Sequence, residues 1–282
     1  MSSGSGSRSP AAALGLLRLG NCAMGALGTL LAALICAGPE QLPDHAFEVG
    51  VSMAIVVLFT GAGNALNDYF DREVDKVAHP ERPIPMGLVS PKSALALSVM
   101  LFSSTVVLSV FVNWWSTLIV VTSIMFMVAY ETLLKAEGLV GNLVISWLTG
   151  ALFLFGGAAV EMMEVSWVLA ALAAMATLGR EIVKDIQDVE GDRGSRTTLP
   201  MRVGVRTAGF GASAAFAGAV ALSPLPYLLD QLSVWYVPVV VVADGMFIYC
   251  SAIHFSDPRK GQKVAKLAML VALIAFLLGG IT

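Results

Sequence analysis

The sequence predicts an all-α fold: a polytopic membrane bundle of nine transmembrane helices with its N-terminus in the cytoplasm. Three observations carry that expectation. Of the 282 residues, 57% are hydrophobic and only 13% are charged, whereas soluble domains hold about a quarter charged residues. Apolar runs near the roughly 20 residues that a spanning helix needs recur along the whole chain. Counting nine of them puts every Lys and Arg on one side of the membrane.

The Ser/Gly-rich stretch 1–10 reads as a disordered tail, followed by one membrane domain over 11–282. No cleavable signal is expected, because the apolar run that follows is long enough to span and contains Arg18. The first span, 12–37, ends at Gly38-Pro39. The second, 46–67, runs into an acidic and basic loop, and the third covers 93–112. The fourth, 115–134, starts behind Trp114 and Trp115, which read as an aromatic belt on the outer face, and stops at Lys135. In the fifth, 139–159, Gly141, Gly150, Gly156 and Gly157 permit close helix packing. The sixth, 165–183, leads into a second acidic loop, and the Ala/Gly-rich seventh, 204–226, meets the turn from Pro224 to Asp230. The eighth, 233–254, carries Asp244 at mid-span, either bonded between helices or lining a cavity, and the ninth covers 263–281. Cys22, Cys36 and Cys250 all lie in apolar stretches without metal or redox spacing and read as packing residues. His79 and His254 read as interfacial.

The basic residues test the count. All 17 fall at the N-terminal end or in and around the loops after spans two, four, six and eight. The opposite loops hold Glu40, Asp44, Glu48, Glu161, Glu164 and Asp230 instead. Since Lys and Arg are retained on the cytoplasmic side, the N-terminus is expected inside and the C-terminus outside.

Two of the inner loops repeat one pattern. After span two the chain reads Asn67-Asp68-Tyr-Phe-Asp71-Arg-Glu-Val-Asp75, and after span six Lys184-Asp185-Ile-Gln-Asp188-Val-Glu-Gly-Asp192. Carboxylates stand at relative positions 0, 3 and 7 in both, a spacing that shares one face of a helix. Basic residues and a proline follow each: Arg82-Pro83-Ile-Pro85 and Arg196-Thr-Thr-Leu-Pro200. The repetition suggests two parallel four-helix halves and a ninth helix. Like charges held together repel unless cations neutralise them. Mg²⁺ suits oxygen donors, using one or two carboxylates and completing its shell with water and substrate phosphate. Two such clusters facing each other form a clamp for Mg²⁺ and a diphosphate, stabilising it as a leaving group. A metal-coupled transporter would also place carboxylates at membrane depth. Transporter sites, however, tend to lie near the midplane at broken helices, and these clusters lie at helix ends beside the cytoplasm.

Both motifs resemble those of the UbiA superfamily of intramembrane prenyltransferases, and the likeness covers nearly the whole chain. The family's N-D-x-x-D-x-x-x-D matches Asn67, Asp68, Asp71 and Asp75; its D-x-x-D-x-x-x-D matches Asp185, Asp188 and Asp192. The strings Arg18-Leu-Gly-Asn21-Cys22, Arg82-Pro83-Ile84-Pro85-Met-Gly87, Gly141-Asn142 and Gly179-Arg180-Glu181-Ile-Val-Lys184-Asp185 resemble most the archaeal branch that completes ether lipids. Related enzymes with aromatic acceptors show Tyr-x-x-x-Lys after span four; here Tyr130 and Lys135 stand five apart.

The resemblance implies a membrane enzyme working at the cytoplasmic face of the cell membrane. It would transfer the geranylgeranyl group of its diphosphate to the free hydroxyl of geranylgeranylglyceryl phosphate. An aromatic acceptor for a quinone stays open as the alternative; a nucleic-acid partner is not expected. Mg²⁺ would be held by Asn67, Asp71, Asp75, Asp188 and Asp192, with Asp68 and Asp185 ligating directly or orienting the others. Lys135, Arg72 and Lys184 would bind diphosphate oxygens, and Arg18 and Arg82 the acceptor's phosphate. Asn21 and Tyr130 complete the expected substrate site.

Overall fold

The structure, a computed structural model, describes residues 10–135, 137–192 and 197–282, and their side chains apart from 10–13 and 192. Nearly all of the tail 1–10, Arg193 and Arg196 lie outside the described residues, as does the side chain of Asp192.

Apolar composition and membrane solvent leave the backbone one economical choice, since each N–H and C=O must find its partner within the segment. The elements are accordingly helices: α1 (Pro10–Leu17), α2 (Leu19–Gln41), α3 (Ala46–Phe70), α4 (Arg72–Ala78), α5 (Pro91–Ser109), α6 (Trp114–Ala129), α7 (Leu139–Ala159), α8 (Met163–Asp192), α9 (Leu199–Val203), α10 (Val205–Leu222), α11 (Leu225–Leu228), α12 (Tyr236–Ile253) and α13 (Pro258–Ile281). Among the described residues there is no strand. Among the described residues eight candidate membrane spans stand out by length and composition, the first being the 52-residue run Leu19–Phe70. That run holds both α2 and α3. Gly38, with φ 71° and ψ 166°, breaks it, and a 3₁₀ turn over Leu42–His45 reverses it, so α2 packs back along α3. A left-handed backbone at that kink is tolerable because the residue is glycine.

The helix expected over 12–37 is split. Arg18 adopts a left-handed backbone (φ 52°) between α1 and α2. The break frees the Leu17 carbonyl, which accepts from Asn64 Nδ2 at 2.8 Å and Cys22 Sγ at 3.2 Å. It also turns the Arg18 guanidinium back towards α3. The motif helices run on past their expected apolar ends, α3 to Phe70 and α8 to Asp192. Thirty residues of α8 make about 45 Å, more than the roughly 30 Å hydrocarbon layer.

Neighbouring helices close into a ring, in the order α2, α3, α5, α6, α7, α8, α10, α12, α13 and back to α2. Several contacts cross it, the most extensive between α2 and α7. Gly156 makes that crossing possible: a Cβ there would lie 2.4 Å from Ala32 Cβ and 2.9 Å from Ala33 N. The crossing divides the interior into two apolar chambers. One, of approximately 680 Å³, lies among α2, α3, α6, α7 and α8 and is lined by Asn21, Phe59, Met127, Ile145, Leu148 and Arg180, among others. The other, of approximately 490 Å³, is lined from α8, α10, α12 and α13, with Met24 and Phe153 at the partition. Asp244 lines this second chamber, accepting from Ser223 Oγ at 2.6 Å, so both of its expected roles hold at once. The three cysteines are buried and free, as packing residues should be.

Candidate active site

The first acidic motif is not one continuous helix. Asn67 and Asp68 end α3, Asp71 caps it at φ −82° and ψ 0°, and Asp75 sits in α4. The bend lets each carboxylate meet a different cation. Asp68, 1% exposed, pairs with Arg18 and stands 3.5 Å from Arg82 Nη1. Arg82 Nη1 donates to Asp75 Oδ2 at 2.6 Å. Lys135 Nζ reaches both Asp71 oxygens, at 2.8 and 2.6 Å. Arg82 is aimed by the loop it opens: Ile84 is buried with Leu16, Ala65 and Ala94, which ties 82–85 to α1, α3 and α5. Arg72 turns elsewhere, donating to the Tyr69 carbonyl at 2.7 Å with its guanidinium over the Tyr69 ring. Glu73 also faces out, held below the usual carboxylate range by a hydrogen bond from Lys76.

Lys135 follows a π-helical turn, Tyr130–Leu134, in which the Lys135 N–H bonds the Tyr130 carbonyl at 2.9 Å. A π turn accommodates one residue more than an α turn. The five-residue spacing of Tyr130 and Lys135 is therefore absorbed, and both side chains line one polar pocket. Ahead of Lys135 in the same turn lies Glu131, 8% exposed, which accepts from Asn67 Nδ2 at 3.0 Å and Lys135 Nζ at 3.1 Å.

The second motif lies on unbroken α8. Asp185 is 6% exposed and accepts from Asn142 Nδ2 at 2.9 Å. Glu181 pairs with Arg180 and stands 3.6 Å from Lys184 Nζ. Gln187 Nε2 donates to Asp188 Oδ1 at 3.0 Å.

The polar pocket joins the motifs. It is lined by Tyr130 and Lys135 on one side, Glu181, Lys184 and Asp185 on another, and Asn142 and Thr198 between them. Lys135 thus touches Asp71 of the first motif while sharing a pocket with Asp185 of the second. Thr198 Oγ1 is buried there without a hydrogen-bond partner among the described residues. Ile145 lines both this pocket and the larger apolar chamber, placing polar head and apolar body side by side. Asn21 and Arg180 stand in that chamber wall.

Most residues expected from sequence are therefore together: Asn67, Asp68, Asp71, Asp75, Arg18, Arg82, Lys135 and Tyr130 around the first motif, Lys184 and Asp185 across from them. Glu131, Asn142, Glu181 and Thr198 were missed as site residues. Glu131 had a signal, being a carboxylate four residues before a lysine at the end of an apolar run; Thr198 had none.

The donor set suits a hard cation. Four carboxylates, of Asp68, Asp71, Asp75 and Glu131, face three cationic side chains in the first cluster, which leaves negative charge in excess. Among the described residues no three His, Cys, Asp or Glu side chains gather around one point. Mg²⁺ does not require that, since one or two carboxylates plus phosphate oxygens are its usual shell.

A model described as the UbiA prenyltransferase family matches residues 26–277. The digeranylgeranylglyceryl phosphate synthase of Natronomonas pharaonis is 42% identical over 267 residues, covering 94% of this chain and 95% of that protein. A solved structure from work on digeranylgeranylglyceryl phosphate synthase in membranes superposes with a TM-score of 0.87 at 31% identity, covering 96% of this chain and 98% of the other. A UbiA homologue from Archaeoglobus fulgidus bound to GPP and Mg²⁺ shares the fold at a TM-score of 0.67 and 14% identity, covering 95% and 98%.

Proposed function

The chain belongs to the UbiA prenyltransferase family of integral membrane enzymes, and on that premise we propose that it attaches the second geranylgeranyl chain of an archaeal ether lipid. The donor is geranylgeranyl diphosphate and the acceptor the free hydroxyl of geranylgeranylglyceryl phosphate. The allylic carbon–oxygen bond to diphosphate breaks, an ether bond to the acceptor oxygen forms, and the hydroxyl proton is lost. One observation carries the reading: a polar pocket shared by Lys135, Lys184 and Asp185, with Ile145 common to it and an apolar chamber of approximately 680 Å³. The names of the relatives support the choice of acceptor.

Asn67, Asp71, Asp75, Asp188 and Asp192 would hold Mg²⁺, which when bound would neutralise charge on the diphosphate leaving group. Lys135 and Lys184 bind its oxygens from opposite sides of the pocket. Asp68, buried and paired with Arg18 and Arg82, orients its neighbours, as does Asp185 through Asn142. Arg18 and Arg82 also provide the positive charge that the acceptor's phosphate needs. The apolar chamber takes the prenyl chain and keeps water from the allylic cation. We place nine crossings in the membrane, α2 and α3 each counting once, with the N-terminus and the site on the cytoplasmic side. A tail over 1–10 and a single domain over 11–282 complete the organisation.

Purified protein given geranylgeranyl diphosphate and Mg²⁺ tests the reading against two acceptors, geranylgeranylglyceryl phosphate and an aromatic quinone precursor. Ether formation with the first and none with the second is expected. Transfer to the aromatic acceptor alone rejects the lipid assignment.

A further inference from the structure

We propose that Glu131 is a positioning residue of this site, one that fixes which end of the Asn67 amide is presented to a cation and tethers Lys135 beside it. The inference rests on the reading of the pocket as a Mg²⁺–diphosphate site and goes beyond it in assigning the order of its parts.

Four side chains close a ring. Asn67 Nδ2 donates to Glu131 Oε1 at 3.0 Å and to Asp71 Oδ2 at 3.1 Å. Lys135 Nζ donates to Glu131 Oε2 at 3.1 Å and to both Asp71 oxygens. Each Glu131 oxygen thus serves one partner, and the two partners are those with the most specific demands. An amide has a donating end and an accepting end, and only its oxygen can ligate a metal. With Nδ2 lodged between two carboxylates, the reverse orientation would set the amide oxygen against two negative groups. The Asn67 carbonyl oxygen is therefore the end left for a cation. Lys135 has a second anchor that does not depend on Asp71, so its ammonium stays placed when Asp71 turns to another ligand.

A purely structural role does not account for the choice of residue. Burying a carboxylate is costly unless it is fully paired. Glutamine has the same shape without that cost, but one end of its amide would donate towards a group that itself only donates. The carboxylate is the side chain here that accepts from both neighbours at once.

The test compares Glu131→Gln and Glu131→Asp with the unaltered protein, in lipid nanodiscs. Calorimetric binding of the unreactive geranylgeranyl thiolodiphosphate is followed across Mg²⁺ concentrations, with no acceptor present. Glu131→Gln should weaken binding and raise the Mg²⁺ concentration for half-saturation about tenfold or more, as outer-shell partners of metal ligands do. Glu131→Asp, which keeps the charge, should recover part of the loss. In the Asn67→Ala background Glu131→Gln should cost less than it does in the unaltered protein, because the part of its effect carried by the Asn67 contact is already gone and only the Lys135 tether remains. Unaltered Mg²⁺ dependence in both single variants, or additive losses in the double, overturns the proposal while the prenyltransferase reading stands. Failure of the unaltered protein to bind the probe with Mg²⁺ overturns both.

Discussion

Asp71 and Asp188 stand apart from the other carboxylates in their partners. Asp68 and Asp75 are 1% and 3% exposed and held by arginines, which makes them parts of the scaffold as much as of the site. Asp71 is more open, with 28% of its side chain exposed, and its partner is the mobile ammonium of a lysine rather than a fixed guanidinium fork. Asp188 accepts from the neutral amide of Gln187. Asp71→Ala and Asp188→Ala should therefore each abolish transfer and leave thermal unfolding of the purified protein nearly unchanged. Full activity in either variant would remove that residue from the metal-binding role.

At the level of elements, helix ends and interruptions build the site. The left-handed Arg18, the bend at Asp71 and the π turn at Tyr130–Leu134 each take a residue off the regular helical path and turn it inward. None would be visible in a hydropathy profile, because all three fall within or beside runs that read as smooth helix. Elsewhere, regular packing carries the load, and the α2–α7 crossing is one of its close approaches. Gly156→Leu would drive a side chain into Ala32, Ala33 and Thr29. It should destabilise the protein by about 1–3 kcal/mol or more, seen as a lowered unfolding midpoint in detergent. An unchanged midpoint would mean that α2 and α7 can separate freely.

The whole molecule adds a division of labour between two chambers. Only the chamber of approximately 680 Å³ shares a wall residue, Ile145, with the polar pocket; the other, of approximately 490 Å³, has Asp244 and Lys266 on its wall and no residue of either acidic motif. Filling the first with Leu148→Trp should raise KM for the geranylgeranyl donor about tenfold relative to a shorter geranyl donor. Filling the second with Ala272→Trp should leave that ratio alone, and the opposite pattern would exchange the roles of the chambers. The sequence by itself determined that the protein is helical and membrane-bound and where its two acidic motifs fall, because hydropathy and Asp spacing are local properties of a chain. Only the tertiary structure decided that Arg18 belongs to Asp68, Lys135 to Asp71 and Glu131 to Asn67, and that the interior is partitioned. Those pairings join residues 50 and 64 positions apart, and they exist only when α2, α3 and the end of α6 come together.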